Sequence, residues 1–344
     1  MKVRVTIREV AKEAGVSLGT ASRALNRTGR VSDKAIAAVT KAARQLGYEP
    51  DAVARSMRTR SSGVIGLLVS DLANPLYATI ITAAETTFQE AGYALLVAST
   101  HNERTREKVL IDAFRGRRVD GIIMGPCETE SPELVQRLAK DLPVVALDRD
   151  VGPGSTGIQV DHYGGAKQAT EYLLNLGHRR IAMLTPGLDL RPGRDRIAGF
   201  EAAFQGRGLE PLSKLIRAEK SSMEFAFSDA LSLISSEDGP TAFICLGTRI
   251  LAGVLQAIRH SGRSVPDDIS VISIGDTDLS QLFSPAITAL RWDLSVVGEV
   301  AAQLILKQID RQHNVEPPEH VRIATQLVFR QSCGPVTLPA MSQQ

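Results

Sequence analysis

A small all-helical module followed by a two-lobed α/β body is the architecture this sequence predicts. Three observations predict it. Helical patterns with their own caps fill the first 50 residues. From Gly63 onward, apolar strand runs alternate strictly with amphipathic helices, and the alternation restarts after Gly157. The third is charge: residues 1–60 hold 13 Lys/Arg against 5 Asp/Glu, a net of +8, and the remainder holds 27 against 33, a net of −6. A basic module on an acidic body points to a polyanion partner for the module alone.

The bulk numbers bound the class. A chain of 344 residues with 43% hydrophobic content fills two or three domains with a substantial core. The first ten residues carry Lys2, Arg4, Arg8 and Glu9, so no signal peptide is expected. No run approaches the roughly 20 apolar residues of a membrane span. Cys127, Cys245 and Cys333 are few, odd in number and far apart, which fits a reducing cytoplasm rather than disulfides or a zinc site. The six histidines form no ligand pair at helical spacing, so neither a metal nor a cofactor is expected.

Along the module, Thr6 starts a helix through Glu13, with Glu9 three positions on as in a capping box. Ile7, Val10, Ala11 and Ala14 give that helix one apolar face. Ser17 caps a second helix ending near Asn26, and Ser32 a third through Leu46, stopped by Gly47. Residues 51–58 have enough pattern for two helical turns, too few to persist unaided. In the body, "GVIGLLVS", "ALLVAS", "DGIIMG", "PVVALD", "GIQVD", "RIAMLTP", "TAFICL" and "ISVISIG" read as buried strands. The helices between them span 75–92, 103–116, 131–140, 162–176, 192–207, 223–235 and 248–262. A late strand "AITALRW", a helix 294–311 and a strand "RIATQLVFR" can exchange between lobes, so that three chain crossings form a hinge.

The first two helices fit a helix-turn-helix, whose second member presents its N-terminal residues to the major groove. Gly15 allows the tight turn, and Ala11 and Ala21 are small enough for close helix crossing. Ser17, Thr20 and Ser22 offer hydroxyls to phosphates. Arg23 can bond guanine bidentately, Leu18 can touch a thymine methyl, and Gly19 permits close approach. A plain helical hairpin would share the pattern; the +8 charge separates the two. An enzyme reading finds little support. "GPGSTG" at 152–157 satisfies G-x-G-x-x-G, but a strand follows it, so no helix N-terminus awaits a pyrophosphate. His162 beside Asp161 suggests acid–base work, yet Asp161 is more simply a helix cap.

"TIREVAKEAGVSLGTASRALN", "VSDKAIAAVTKAARQLGYEPDAVARSMRT" and "GVIGLLVSDLANPLYA" together resemble the LacI/GalR family of bacterial transcriptional regulators. "VDHYGGAKQATEYLLNLGHRRIAML", "RDRIAGFEAAF", "VPDDISVISIGDTD" and "SPAITALRWDLSVVGEVAAQLIL" extend the resemblance over nearly the whole chain. It implies a DNA-binding headpiece at 1–50, a hinge helix and linker at 51–62, and a body like the periplasmic sugar-binding proteins. The lobes would be 63–160 plus 293–320 and 161–292 plus 321–338, joined by three crossovers, with a tail at 339–344.

The resemblance implies a double-stranded operator as partner, a homodimer that makes the operator roughly palindromic, and a small-molecule effector between the lobes. The implied DNA-facing set is Thr6, Ser17, Leu18, Gly19, Thr20, Ser22, Arg23, Asn26 and Tyr48, with Ala54, Arg55 and Met57 in the hinge helix. Met57 stands where the family usually has leucine and would wedge open a base step. Asp51 replaces the usual asparagine and receives no phosphate contact. The tail "GPVTLPAMSQQ" has no heptad repeat, so a dimer rather than a tetramer is expected.

The effector set implied is Asp71, Leu76, Tyr77, Asp148, Arg196, Phe225, Gly247, Asp276 and Trp292. Arg196 leads it, because a guanidinium fork suits a carboxylate or vicinal hydroxyls; an ion pair with Asp195 or another cleft carboxylate is the competing role. Gly247-Thr248 stands where the family often has Asn-Asp, and Ile274-Gly275-Asp276 where it often has an aromatic and two aspartates. A sugar, a sugar acid, another carboxylate and a less polar metabolite all remain open, as does a lost response.

Overall fold

The structure is a computed structural model describing residues 5–26, 29–48, 61–127, 132–149, 152, 154–219, 221–247, 249–310 and 317–336. Residues 1–62 and 63–344 form two separate compact units.

The first unit contains α1 (Ile7–Glu13), α2 (Leu18–Asn26) and α3 (Asp33–Leu46). Each start is set by a side chain. The Glu9 carboxylate accepts from the Thr6 N–H at 2.6 Å and the Thr6 hydroxyl at 2.9 Å. Ser17 Oγ accepts from the Thr20 N–H at 3.2 Å, and Ser32 Oγ from the Ala35 N–H at 3.4 Å. Gly15 turns the chain between α1 and α2 at φ +65°, where a Cβ would be strained. The core is Val10, Ala11, Ala21, Ala24, Val39, Ala42 and Ala43. Alanines bury little area but let the helices cross closely, so the caps matter to this small module.

The second unit holds two six-stranded sheets. The first comprises β1 (Val64–Val69), β2 (Ala94–Ser99), β3 (Gly121–Met124), β4 (Val144–Leu147), β5 (Thr156–Val160) and β11 (His320–Ile323), in the order β11-β5-β4-β3-β1-β2, all parallel. The second comprises β6 (Ile181–Leu184), β7 (Ile216–Arg217), β8 (Ala242–Leu246), β9 (Ser270–Ile274), β10 (Thr288–Arg291) and β12 (Gln326–Val328), in the order β12-β10-β9-β8-β6-β7. Within it β12 runs antiparallel to β10. β3, β4, β6, β8 and β9 are buried throughout their lengths, which is why they read as unbroken apolar runs.

Helices cover both sheets. The first carries α4 (Pro75–Glu90), α5 (Arg104–Gly116), α6 (Pro132–Ala139) and the late helix Leu294–Asp310. The second carries α7 (His162–Asn175), α8 (Arg191–Gln205), α9 (Met223–Ile234), α10 (Arg249–His260) and a short α11 (Asp278–Leu282). The late helix, α12, lies so close to α4 that a Cβ on Gly298 would fall 2.3 Å from the Ile80 carbonyl oxygen and 2.9 Å from the Ala83 Cβ.

The chain passes between lobes three times: after β5, after β10 and between β11 and β12. The first and third passages are tied together. The Asp161 N–H donates to the Ile323 carbonyl at 2.9 Å, and Arg322 donates to the Asp161 carboxylate at 2.5 Å. Two expectations change here. "RIATQLVFR" is not one strand but parts of two, broken at Ala324-Thr325 where the chain changes sheets. The lobe boundary expected between 320 and 321 therefore falls inside β11, which pairs with β5 along its length. The hinge helix expected at 51–58 and the tail at 339–344 lie outside the described residues.

Candidate functional site

Two places collect the residues singled out above: one face of the helical unit and the cleft of the body. On the helical unit, the first turn of α2 projects outward. Leu18 is 45% exposed, and Ser17, Gly19 and Arg23 are exposed beside it. Arg23 Nε donates to the Gly19 carbonyl at 3.3 Å, which holds the long side chain along the helix it would present. Ser17 and Thr20 hydroxyls bond each other at 2.9 Å. Ser22 is half-buried, and Asn26 folds back to donate to its carbonyl at 2.6 Å. Thr6 is spent on the α1 capping box, and Tyr48 packs against the module's core. Ala54, Arg55 and Met57 lie outside the described residues.

The body's cleft forms where the C-terminal ends of both sheets face each other, the usual place for a ligand in open α/β sheets. It encloses a cavity of about 410 Å³. The first lobe contributes Ser70 and Asp71 after β1, Leu76, Tyr77 and Ile80 on α4, Asn102 after β2, and Asp148 and Arg149 after β4. The second contributes His162, Pro192, Arg196, Ser221 and Arg249, with Trp292 at the second crossover. Trp292 packs against the cores of both lobes and meets the His162 ring edge-on, centroids 5.6 Å apart. Arg249 of the second lobe reaches Asp71 of the first at 2.7 Å.

Asp148 organises the floor. Its backbone is left-handed, φ +51°, unusual for a residue with a Cβ but tolerated best by Asp and Asn. The conformation turns the carboxylate toward the first crossover. One oxygen accepts from the Val160 N–H at 3.1 Å and lies 3.4 Å from Arg191; the other lies 2.8 Å from His162 Nε2. Burial opposes ionisation of Asp148, but His162, the Arg149 charge and the Val160 N–H keep its carboxyl well below the usual carboxylate range.

The tautomer of His162 follows from its neighbours. Arg196 sits 3.3 Å from His162 Nδ1, and a guanidinium can only donate. Nδ1 therefore accepts, and Nε2–H donates to Asp148. Burial lowers the His162 pKa from its ordinary value; Asp148 opposes this, and Arg196 and Arg191 add to the lowering. The ring stays neutral. Arg196 itself donates to the Thr185 hydroxyl at 3.2 Å, and its Nε is buried with no partner among the described residues. Its expected competitor role is not taken up: Asp195 pairs with Arg191 at 2.9 Å, and among the described residues no carboxylate lies at ion-pair distance from Arg196.

Asp71, Leu76, Tyr77, Asp148, Arg196 and Trp292 thus line one cavity. Phe225, Gly247 and Asp276 do not. Phe225 is on the first turn of α9, its N–H capped by Ser222 Oγ at 3.1 Å. Gly247 is where β8 presses on the end of β9: a Cβ there would lie 2.5 Å from the Gly275 carbonyl oxygen, so no side chain can stand there to grip a ligand. Asp276 is bound to Arg330 at 2.8 Å and accepts from Ser280 Oγ at 2.9 Å, buried in the second lobe. Arg149, Asn102 and Arg249 are lining residues that sequence reasoning missed, and His162, noticed there only beside Asp161, lines the cavity too. Arg149 carried a usable signal, two residues past the C-terminal end of β4.

Known proteins share this arrangement. Residues 6–51 match the bacterial regulatory proteins of the lacI family, and residues 170–333 the periplasmic binding protein-like domain. The chain is 30% identical over 329 residues to the ribose operon repressor of Halalkalibacterium halodurans, covering 95% of this chain and 96% of that one. It is 32% identical over 317 residues to the HTH-type transcriptional repressor PurR of Glaesserella parasuis, covering 92% and 93%. Among solved structures, the Lac repressor dimer bound to operator and the anti-inducer ONPF superposes with a TM-score of 0.85 at 26% identity, over 96% of this chain and 100% of that one. The complex of the transcriptional regulator CelR with cellobiose gives 0.72 at 27% identity, over 96% and 100%. No described helix is long and apolar enough to cross a membrane.

Proposed function

The chain belongs to the LacI family of bacterial regulatory proteins, and from that premise we propose that it is a cytoplasmic DNA-binding transcriptional repressor rather than an enzyme. It binds a roughly palindromic operator as a homodimer and responds to a small molecule held between the lobes of its body. The conjunction in one chain of a capped, +8 helix-turn-helix unit with a two-lobed body enclosing a cavity lined from both sides carries this reading.

In this reading α2 lies in the major groove. Ser17, Leu18, Gly19, Thr20, Ser22 and Arg23 face the DNA, Arg23 bonding a base edge and the hydroxyls meeting phosphates. Thr6, Asn26 and Tyr48 flank that surface. Ala54, Arg55 and Met57 enter the minor groove, Met57 as the apolar wedge. Two headpieces on one dimer raise each other's effective concentration, so the pair grips where a single one lets go. The effector is contacted by Asp71, Leu76, Tyr77, Arg196 and Trp292, with Arg149, Asn102 and His162 added from the cleft. It acts by binding one lobe arrangement better than the other, since a ligand indifferent to both shifts nothing.

The relatives named above are repressors and a transcriptional regulator whose names and titles speak of an operator, ribose, an anti-inducer and cellobiose, which supports a DNA partner and a small polar effector here. The test is a gel shift with genomic fragments, run with and without a metabolite panel. A discrete set of shifted fragments sharing an inverted repeat, and a shift altered by at least one metabolite, is expected. A strict monomer with equal affinity for scrambled oligonucleotides would refute the reading.

A further inference from the structure

Building on the cleft's role as an effector site, we propose that the effector carries a carboxylate or phosphate group, seated against Arg149 and Arg196. Both guanidinium groups line the cavity and both are buried, Arg149 at 7% exposure and Arg196 at 6%. Among the described residues, neither has a carboxylate at ion-pair distance. Arg149 donates to two backbone carbonyls, Pro126 and Asp148, each at 2.9 Å. Arg196 donates to the Thr185 hydroxyl and to the neutral His162 ring. Every partner of these two cations is uncharged.

The acids around them are engaged elsewhere. Asp148 serves His162, the Val160 N–H and Arg191. Asp195 serves Arg191, Asp71 serves Arg249 and Asp161 serves Arg322. The buried Glu107 accepts from the Cys127 N–H at 2.9 Å and does not line the cavity. Counted over the described lining residues, Arg149, Arg196 and Arg249 outnumber Asp71 and Asp148, and the surplus belongs to the two cations inside.

The two cations also burden each other. Burial pushes the Arg196 pKa down to about 10; Asp148 and Asp195 counter that, while the Arg149 charge adds to the lowering. Among the described residues, Arg196 Nε has no acceptor. A buried charge that is only partly compensated is a standing cost that an arriving partner of opposite sign reduces. A neutral hydroxyl could accept from Nε but would leave the charge as it was. A carboxylate or phosphate oxygen accepts the same hydrogen bond and neutralises the surplus, and its planar or tetrahedral oxygens match guanidinium forks. The rest of the effector would lie on Leu76, Tyr77 and Trp292, in a cavity whose volume suits a small metabolite.

Trp292 is the single tryptophan of the chain and lines the cavity, so its fluorescence reports occupancy directly. Full-length protein is titrated with inorganic phosphate against chloride at matched ionic strength, then with three matched sets: ribose, ribonate and ribose 5-phosphate; glucose, gluconate and glucose 6-phosphate; glycerol, glycerate and glycerol 3-phosphate. Inorganic phosphate is expected to shift Trp292 emission and raise the melting temperature where chloride does not. In at least one set an anionic member is expected to bind about tenfold or more tighter than its neutral partner. The carboxylate and phosphate arms of that set tell which group the cleft prefers. Arg149→Gln and Arg196→Gln should each erase the preference, and Arg149→Lys, which keeps the charge, should retain part of it.

A phosphate response equal to that of chloride overturns the proposal. So does a response unchanged in both glutamine variants, or a neutral member binding as tightly as its anions. A gel shift separates this from failure of the effector reading itself. A neutral sugar that alters operator binding while phosphate leaves the cleft silent sinks only the anion. Anion binding in the cleft with operator affinity indifferent to it sinks only the effector role.

Discussion

Replacing Asp276 by alanine separates a ligand contact from a structural ion pair. The sequence places this carboxylate among the effector residues; the structure gives it to Arg330. The pair is short, 2.8 Å, with side-chain exposures of 5% for the aspartate and 16% for the arginine. Arg330 also donates to the Ile287 carbonyl at 2.7 Å, and Ser280 donates to the other carboxylate oxygen. Removing one member of a buried pair strands the other, at about 3–5 kcal/mol. The lower end applies here, because Arg330 keeps a carbonyl partner and some solvent. A loss of about 3 kcal/mol should lower the melting temperature by roughly 6 °C in a body of this size.

The same pair sets a pH dependence. Burial would raise the Asp276 carboxyl, but Arg330 and Ser280 outweigh it and hold it below its ordinary 3.8. A depressed folded pKa contributes stability that is complete above the unfolded value and is lost as pH falls through the folded one. Thermal melts of wild type and Asp276→Ala should therefore converge as pH drops below about 4 and stay apart at pH 7. The assay is a melt followed by far-UV circular dichroism at several pH values, with effector titration of each variant. An Asp276→Ala protein with an unchanged melting temperature and a missing effector response would refute this reasoning and return the residue to the cleft.

Other expectations are simpler to check. Arg23→Ala should weaken operator binding by about 1–3 kcal/mol and relax one base position; an unchanged footprint and base preference would remove it from the groove. Met57→Ala should reduce operator bending in a circular-permutation gel assay, and an unaltered bend angle would count against the wedge. Gly298→Ala, which drives a methyl into the Ile80 carbonyl, should destabilise the body by about 1–3 kcal/mol in urea melts, unless α4 and α12 separate freely.

Much of this was legible in the residues. Ser17, Ser32 and the Thr6–Glu9 box announce helix starts because their interactions span three residues and need no tertiary partner. Strands buried on both faces announce themselves as apolar runs. That the chain crosses three times was legible, but not that the third crossing falls at Ala324-Thr325, because continuous β-forming pattern hides a change of partner. The family resemblance put Arg196 and Trp292 among the cleft residues, and both line the cavity. It misplaced Asp276, whose partner stands 54 residues away. It overlooked Arg149 despite its place just past a strand end, and Arg249 because a cleft built from separate segments leaves no spacing along the chain to recognise. Gly247 shows the opposite case: what reads as a missing clamp is a backbone contact that excludes any side chain.

The last two strands lie on consecutive turns of the story of synthesis rather than of space. β11 closes one edge of the first sheet and β12 one edge of the second, and both are encoded from His320 onward. Neither half can finish assembling while the ribosome is still extending the polypeptide through residue 319. A premature stop before His320 damages both halves together, and because each half takes its last strand from this stretch, neither can be cloned as one uninterrupted fragment.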